Sequence, residues 1–115
     1  MAIDSLQTLE VIEALENFIS KIRPPEHIRE KLDISYEIEG QSIIIFEIRP
    51  QWDKPEIIHQ YPVAKTTFVK AKNYWKVYWR RADLKWHSYS PKPFVEAIIE
   101  FTKLVEEDKL HCFWG

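Results

Sequence analysis

Apolar and polar positions along the chain switch period twice, from helical to alternating and back. Between residues 6 and 22, Leu6, Leu9, Ile12, Leu15, Ile19 and Ile22 recur at three- and four-residue spacing, which predicts a helix with one apolar face. Asp4 followed by Gln7 is an acceptable start signal. Pro24-Pro25 forces the stop, because proline disfavours the helical conformation of the residue before it. The following PPEHIREKL reads as one further turn, with proline at a first helical position and Glu26 at its positive end.

The period then becomes two. Leu32, Ile34, Tyr36 and Ile38 alternate with Asp33, Ser35, Glu37 and Glu39, a half-buried strand. Glu39-Gly40-Gln41 supplies a turn, and residues 42–49 return as a second strand. That strand is apolar on both faces, with Ile44, Phe46 and Ile48 opposite Ile43 and Ile45, which predicts an interior place in a sheet. Residues 50–62, PQWDKPEIIHQYP, are bounded and interrupted by prolines and read as a long loop. Three more strands follow at residues 63–70, 72–80 and 85–90, the last two joined by a turn near Ala82-Asp83-Leu84. Phe94, Ile98, Phe101, Leu104 and Val105 restore helical spacing, with Glu96, Glu100, Glu106 and Glu107 outward, before a short apolar tail, LHCFWG.

The connections between strands are too short for parallel crossovers. The predicted fold class is therefore α+β, in the order α-β-β-β-β-β-α. A mostly antiparallel five-stranded sheet carries the N- and C-terminal helices on one face and leaves the opposite face open. Residues 1–115 read as one domain.

Composition adds a compartment and a charge pattern. The longest uninterrupted apolar run, Ile43 to Phe46, is far below the ~18 residues of a membrane span, and the first residues lack a basic and then apolar leader. Cys112 is the single cysteine, so no internal disulfide forms, and the expected location is cytoplasmic with no membrane partner. The net charge of −2 is distributed as −5 over residues 1–49, +6 over 50–92 and −3 over 93–115. The basic block contains the most aromatic stretch of the chain, KNYWKVYWRRADLKWHSY at residues 72–89.

Alternation divides this stretch into two sets. Trp75, Val77 and Trp79 point one way, and Tyr74, Lys76, Tyr78 and Arg80 the other. A loop of two or four residues centred on Asp83-Leu84 adds Trp86 and Ser88 to the tryptophan set, and Lys85, His87 and Tyr89 to the tyrosine set. A one-residue bulge in the turn would reverse that last assignment. Burying a Trp is worth about 4–6 kcal/mol at most by area, whereas stacking one nucleobase gains about 1–3 kcal/mol. Trp75, Trp79 and Trp86 are accordingly expected in the core. The candidate binding residues are then Tyr74, Lys76, Tyr78, Arg80, Lys85, His87 and Tyr89, on the face no helix is expected to cover. Rings for stacking and cations for phosphates are what an open sheet needs to take single-stranded nucleic acid. The same face also suits a protein partner, its own copy included, because the acidic strand with Asp33, Glu37 and Glu39 belongs to the same sheet. A solvated sheet face, with Tyr rings lying on Lys and Arg stems, is the unspecialised reading.

Catalytic equipment is sparse. Two glycines cannot build a phosphate-cradling loop, and neither GxxxxGK[ST] nor GxSxG is present. His27, His59, His87, His111 and Cys112 lack paired metal-ligand spacing, so no metal, no cofactor and no catalytic residue is assigned. Glu47-x-Arg49 with Lys65 on the next strand is a loose version of a metal-dependent nuclease set. Acids in the first helix could complete it, but the expected Asp plus E-x-K dyad is absent and Arg replaces the lysine, which makes nuclease a minor alternative to a binding module.

The motifs RPPE (23–26), EIRPQW (47–52), PVAKTTFVK (62–70), WKVYWRRADLKWHSY (75–89) and CFWG (112–115) together cover nearly the whole chain. In this combination the sequence resembles a family of short bacterial proteins catalogued only as a domain of unknown function, number three-zero-two-four. The resemblance implies a small bacterial protein without assigned activity, and carries no site residues with it. It also implies that the CFWG tail belongs to the fold, as its apolarity indicates independently, and Trp52 is a guessed neighbour for the docked tail.

Overall fold

Helix α1 (Ser5–Ile22) buries Leu15 and Ile19 as its spacing predicts, with Ile22 packed beside them, but its N-terminal half is rotated from the predicted stripe. The computed structural model describes residues 5–114, so the start signal at Asp4 lies outside the described residues. Val11, Leu15, Phe18 and Ile19 are buried, whereas Leu9 is 65% exposed and Ile12 faces solvent at the margin. The helix carries two apolar flanks, and the one containing Phe18 is chosen because it presents the larger surface to the sheet, at about 1.5–3 kcal/mol per buried large side chain. A 3-10 turn at Glu26–Ile28 follows the proline pair.

Strands β1 (Asp33–Glu39), β2 (Ser42–Pro50), β3 (Ile58–Val69), β4 (Tyr74–Arg80) and β5 (Trp86–Ser88) form an antiparallel meander in sequence order. Helix α2 (Ile98–Glu107) closes the chain, giving the predicted α+β fold with a helix at each end of a five-stranded antiparallel sheet. Gly40, at φ 60°, makes the tight β1–β2 turn. One short strand is additional: β6 (Phe94–Val95) pairs with β4 at Lys76 and Trp75. The sequence reading put Phe94 in the closing helix. The prolines at 91 and 93 instead keep the chain extended there, and β6 covers the stretch of β4 edge that β5 is too short to reach.

The helix-side core is continuous across the sheet. Ile43 and Ile45 of β2, Ala64 and Phe68 of β3, Trp75 and Val77 of β4, and Val95 of β6 pack with Phe101 and Val105 of α2 and the buried flank of α1. Thr66, fully buried among them, donates its hydroxyl to the Lys76 carbonyl at 2.7 Å, which satisfies the one polar group this row carries. Tyr36 ties β1 to α1 by donating to Glu16 Oε1 at 3.0 Å, and burial, then this carboxylate, pushes its phenol up to about 12. No helix among the described residues is long and apolar enough to cross a membrane.

Residues 50–62 are less of a loop than predicted. β2 continues to Pro50 and β3 starts at Ile58, so the two strands run on past the sheet as a hairpin arm. At the root of the arm the register shifts between Ile45 and Phe46, leaving Val63 as an extra residue on β3. β3 pairs with β4 only from Ala64 onward, so the sheet forks at this bulge. Trp52 at the arm's tip is 91% exposed, which overturns its guessed contact with the tail.

The tail itself docks. Asp108, left-handed at φ 41°, ends α2 with its amide on the Leu104 carbonyl. Its carboxylate then accepts from the amides of Phe113 and Trp114 at 3.0 and 2.9 Å. Phe113 is thereby buried, and the Trp114 indole donates to the Val105 carbonyl at 2.8 Å.

Candidate nucleic-acid interface

The face of the sheet away from the helices is assembled from residues of all six strands. Cross-strand register places Glu37, Ile44, Lys65, Tyr78 and Ser88 in one row, and Glu39, Ser42, Thr67, Lys76 and Phe94 in the next. Acidic side chains thus occupy the β1 edge, apolar ones the middle, and cations with rings the β3–β5 half.

Four of the seven residues singled out from the sequence lie together on that half. Tyr74, Lys76, Tyr78 and Arg80 all project from β4 onto the open face, with Tyr78 and Arg80 partly buried and Lys76 exposed. The other three do not join them, and the cause is a single turn. Arg80 pairs with Trp86, Trp79 with His87 and Tyr78 with Ser88, so β5 presents Trp86 to the open face and turns His87 toward the helix side. Inside the closing pair Arg81 and Lys85, the loop is Ala82-Asp83-Leu84. The Leu84 amide donates to the Arg81 carbonyl at 2.8 Å, and Leu84 itself sits at φ 63°. A tight turn followed by a left-handed residue is a three-residue hairpin loop, and its odd count reverses every face assignment on the returning strand.

The corrections follow residue by residue. Tyr89 is 3% exposed in the helix-side core, its ring 4.9 Å from that of Phe113, and burial, then the nearby Cys112 and Asp108, raise its phenol above the ordinary value. His87 approaches Asp83 with its Nε2 2.8 Å from the carboxylate. Lys85 stays in the exposed turn, where its amide donates to the same carboxylate at 2.9 Å. The Lys85 amide and then the His87 ring hold the Asp83 carboxyl below the usual range. Of the three tryptophans expected in the core, Trp75 is buried there and Trp79 packs against it, whereas Trp86 lies on the open face.

Trp86 changes what this face offers. Lys65 Nζ lies 5.8 Å from its ring and 5.7 Å from that of Tyr78, and the Arg80 guanidinium also lies 5.8 Å from the Trp86 ring. A second station forms at the far end of β4, where Tyr74 and Phe94 stack at 4.6 Å with planes 19° apart and Phe94 is 49% exposed. Lys76 stands between the stations. Among the described residues Lys65, Lys76 and Arg80 form no ion pair, whereas Arg23 and Arg49, from the acidic half of the chain, are paired with Asp33 and Glu47. Lys65 was readable from alternation once the faces of β3 are known. Trp86 and Phe94 were not, since one hangs on the turn and the other on the extra strand.

The nuclease-like set is not assembled. Glu47 shares the helix side of β2 with Ile43 and Ile45, its carboxylate held by Arg49 at 2.6 Å, while Lys65 projects from the opposite face. No cluster of three or more metal-ligating side chains occurs among the described residues.

The family model for a domain of unknown function, DUF3024, matches residues 3–115. The chain belongs to the DUF3024 family. No curated protein and no solved structure matches it. This DUF3024 chain is a helix-backed antiparallel meander with one half of its open face basic and aromatic.

Proposed function

We propose that this DUF3024 domain is a binding module that takes single-stranded nucleic acid on the β3–β5 half of its open face. The observation that carries the reading is that Lys65, Lys76 and Arg80, all without ion-pair partners among the described residues, are interleaved with Tyr78, Trp86 and the Tyr74–Phe94 stack. Rings accept bases of any sequence, and flanking cations neutralise the backbone that links them. Tyr74 and Tyr78 are four residues apart on one strand, roughly 13 Å at about 3.3 Å per residue, so the two ring stations suit a segment of a few nucleotides.

The test is a fluorescence-polarisation titration with short single-stranded DNA and RNA at two salt concentrations. Three neutralised phosphates give a log–log salt slope of about −2, so raising salt fourfold weakens binding roughly 20-fold. Trp86→Ala removes a stacking ring and weakens binding by about tenfold, within the range for a single base platform. Absence of binding at low salt and micromolar protein rejects the reading.

The charge division of the face favours a second occupant, another copy of the chain. Glu37 and Glu39 on the β1 edge would meet Lys65 and Lys76 of the other copy across a two-fold axis. Light scattering separates the two readings: a dimer at micromolar concentration that dissociates in salt and ignores oligonucleotides supports self-association instead.

A further inference from the structure

Where the sheet forks, it leaves a cleft of about 420 Å3 between the root of the β2–β3 arm and the β4–β5 turn. Tyr61 and Pro62 of β3 form one wall, Arg80 at the end of β4 and Arg81 just after it the other, and Leu84 the rim. The bulge at Val63 creates the space, because β3 stops pairing with β4 beyond Ala64 and follows β2 outward.

Two features of the arginines fix the chemistry this cleft suits. Neither forms a close ion pair among the described residues, so two arginines border one cavity, although Arg81 lies near enough to Asp83 for their charges to interact. The nearest acid on the turn, Asp83, has its oxygens engaged by the Lys85 amide and the His87 ring. Each guanidinium also lies over a tryptophan, Arg80 at 5.8 Å from Trp86 and Arg81 at 5.4 Å from Trp79, a weak contact that favours the extended side chain. Arg80 ends β4 and Arg81 follows it, and their guanidiniums lie by rings on opposite faces, Trp86 and Trp79, so the pair flanks the cleft from the two sides of the sheet. Arginine presents several fixed donors that match phosphate oxygens, and a phosphate monoester carries more charge than a diester of the backbone.

We propose that this cleft is a terminal-phosphate site, so that the domain prefers a nucleic-acid strand with a phosphorylated end. The inference rests on the nucleic-acid reading and extends it: Arg80 belongs to both the open face and the cleft, and joins the stacked segment to its end group. The exposed Tyr61 ring lies beside the cleft to take the terminal base or sugar.

The experiment compares three otherwise identical single-stranded oligonucleotides, with a 5′-phosphate, a 3′-phosphate or hydroxyls at both ends, by polarisation against the wild type and Arg81→Gln. One phosphorylated end is expected to bind roughly tenfold tighter than the hydroxyl form. In Arg81→Gln that preference collapses, while affinity for the hydroxyl form changes less than about threefold, the effect of one lost charge. Equal affinities for all three strands, or a preference that survives in Arg81→Gln, overturn the proposal and leave the open-face reading standing. If no strand binds, the open-face reading fails and the cleft is tested alone, by NMR titration of the arginine side-chain Nε–H signals. Inorganic phosphate, 5′-AMP and 3′-UMP are added to both proteins. Saturable shifts lost in Arg81→Gln support a phosphate site independent of strands, and no shift with any of the three overturns it.

Discussion

The two hairpins that share β4 turn in different ways, and the difference decides which side chains reach the open face. Between β3 and β4, four residues separate the last paired positions, Val69 and Tyr74, and the left-handed position is held by Asn73 at φ 52°. Asparagine tolerates that conformation. Between β4 and β5, five residues separate Arg80 from Trp86, and the left-handed position is held by Leu84, a residue with no preference for it. The even loop keeps Phe68 beside Trp75 and in the core. The odd loop puts Trp86 on the open face and sends Tyr89 into the core. An aromatic-rich strand can thus be turned from platform to packing by one backbone conformation, with no change in its own composition.

Breaking the second hairpin where its reversal is buried gives the largest effect. Tyr89→Ala should cost about 3–5 kcal/mol, as large aromatic truncations in cores do, whereas Tyr78→Ala on the open face should cost at most about 1 kcal/mol. Urea denaturation of the two variants checks this, and equal losses would mean that β5 is not reversed. Next comes the tail that receives the Tyr89 ring. Deleting residues 112–115 removes Phe113 and the indole bond to Val105, and the melting temperature should fall by several degrees. An unchanged melting curve contradicts the docking.

Smaller effects sharpen the comparison at the turn. Leu84→Gly should stabilise by up to about 1 kcal/mol, because a left-handed leucine costs roughly 1–2 kcal/mol and glycine's extra chain entropy returns part of that. The same change made at Asn73 should gain less, and equal gains at both sites would remove the distinction between the turns. The last effect is one of pH. The Asp83 carboxyl is depressed in the folded protein, first by the Lys85 amide and then by the His87 ring. Its contribution is therefore complete above the unfolded value near 4 and is lost as pH falls through the lower folded value. The stability gap between wild type and Asp83→Asn should shrink from pH 6 to pH 3 in matched denaturant titrations, and a constant gap would show that the carboxylate's charge plays no part in the turn.

What the sequence discloses follows from how locally each feature is determined. Strand β1 and the Trp75–Val77–Trp79 division of β4 are written in unbroken alternation, and the fold class follows from short connections between such strands. Along α1 the spacing identifies Leu15 and Ile19 but not Val11 and Phe18 in place of Leu9 and Ile12, because both flanks are apolar and only the packed sheet selects between them. The arm was read as loop because Pro50, Pro55 and Pro62 are loop signals when counted alone. Pro50 and Pro62 nonetheless lie in its paired strands, on β2 and β3. For the candidate site, the four β4 residues were legible and Trp86 was not, since Leu84 hides the odd loop that glycine would have advertised. Phe94 joins Tyr74 through a two-residue strand too short to leave any period.

The extra residue at Val63 also separates two histories of change. On the body side of the bulge, inserting or deleting one residue would invert a packed strand. Beyond Ile48, where pairing with β1 ends, Arg49 and Pro50 pair only with His59 and Ile58 of the arm's other strand, so a change of length there inverts no packed strand. The arm is therefore the part of this chain most free to lengthen, shorten or re-aim over evolutionary time, and paralogues should differ there in size while keeping the body's register.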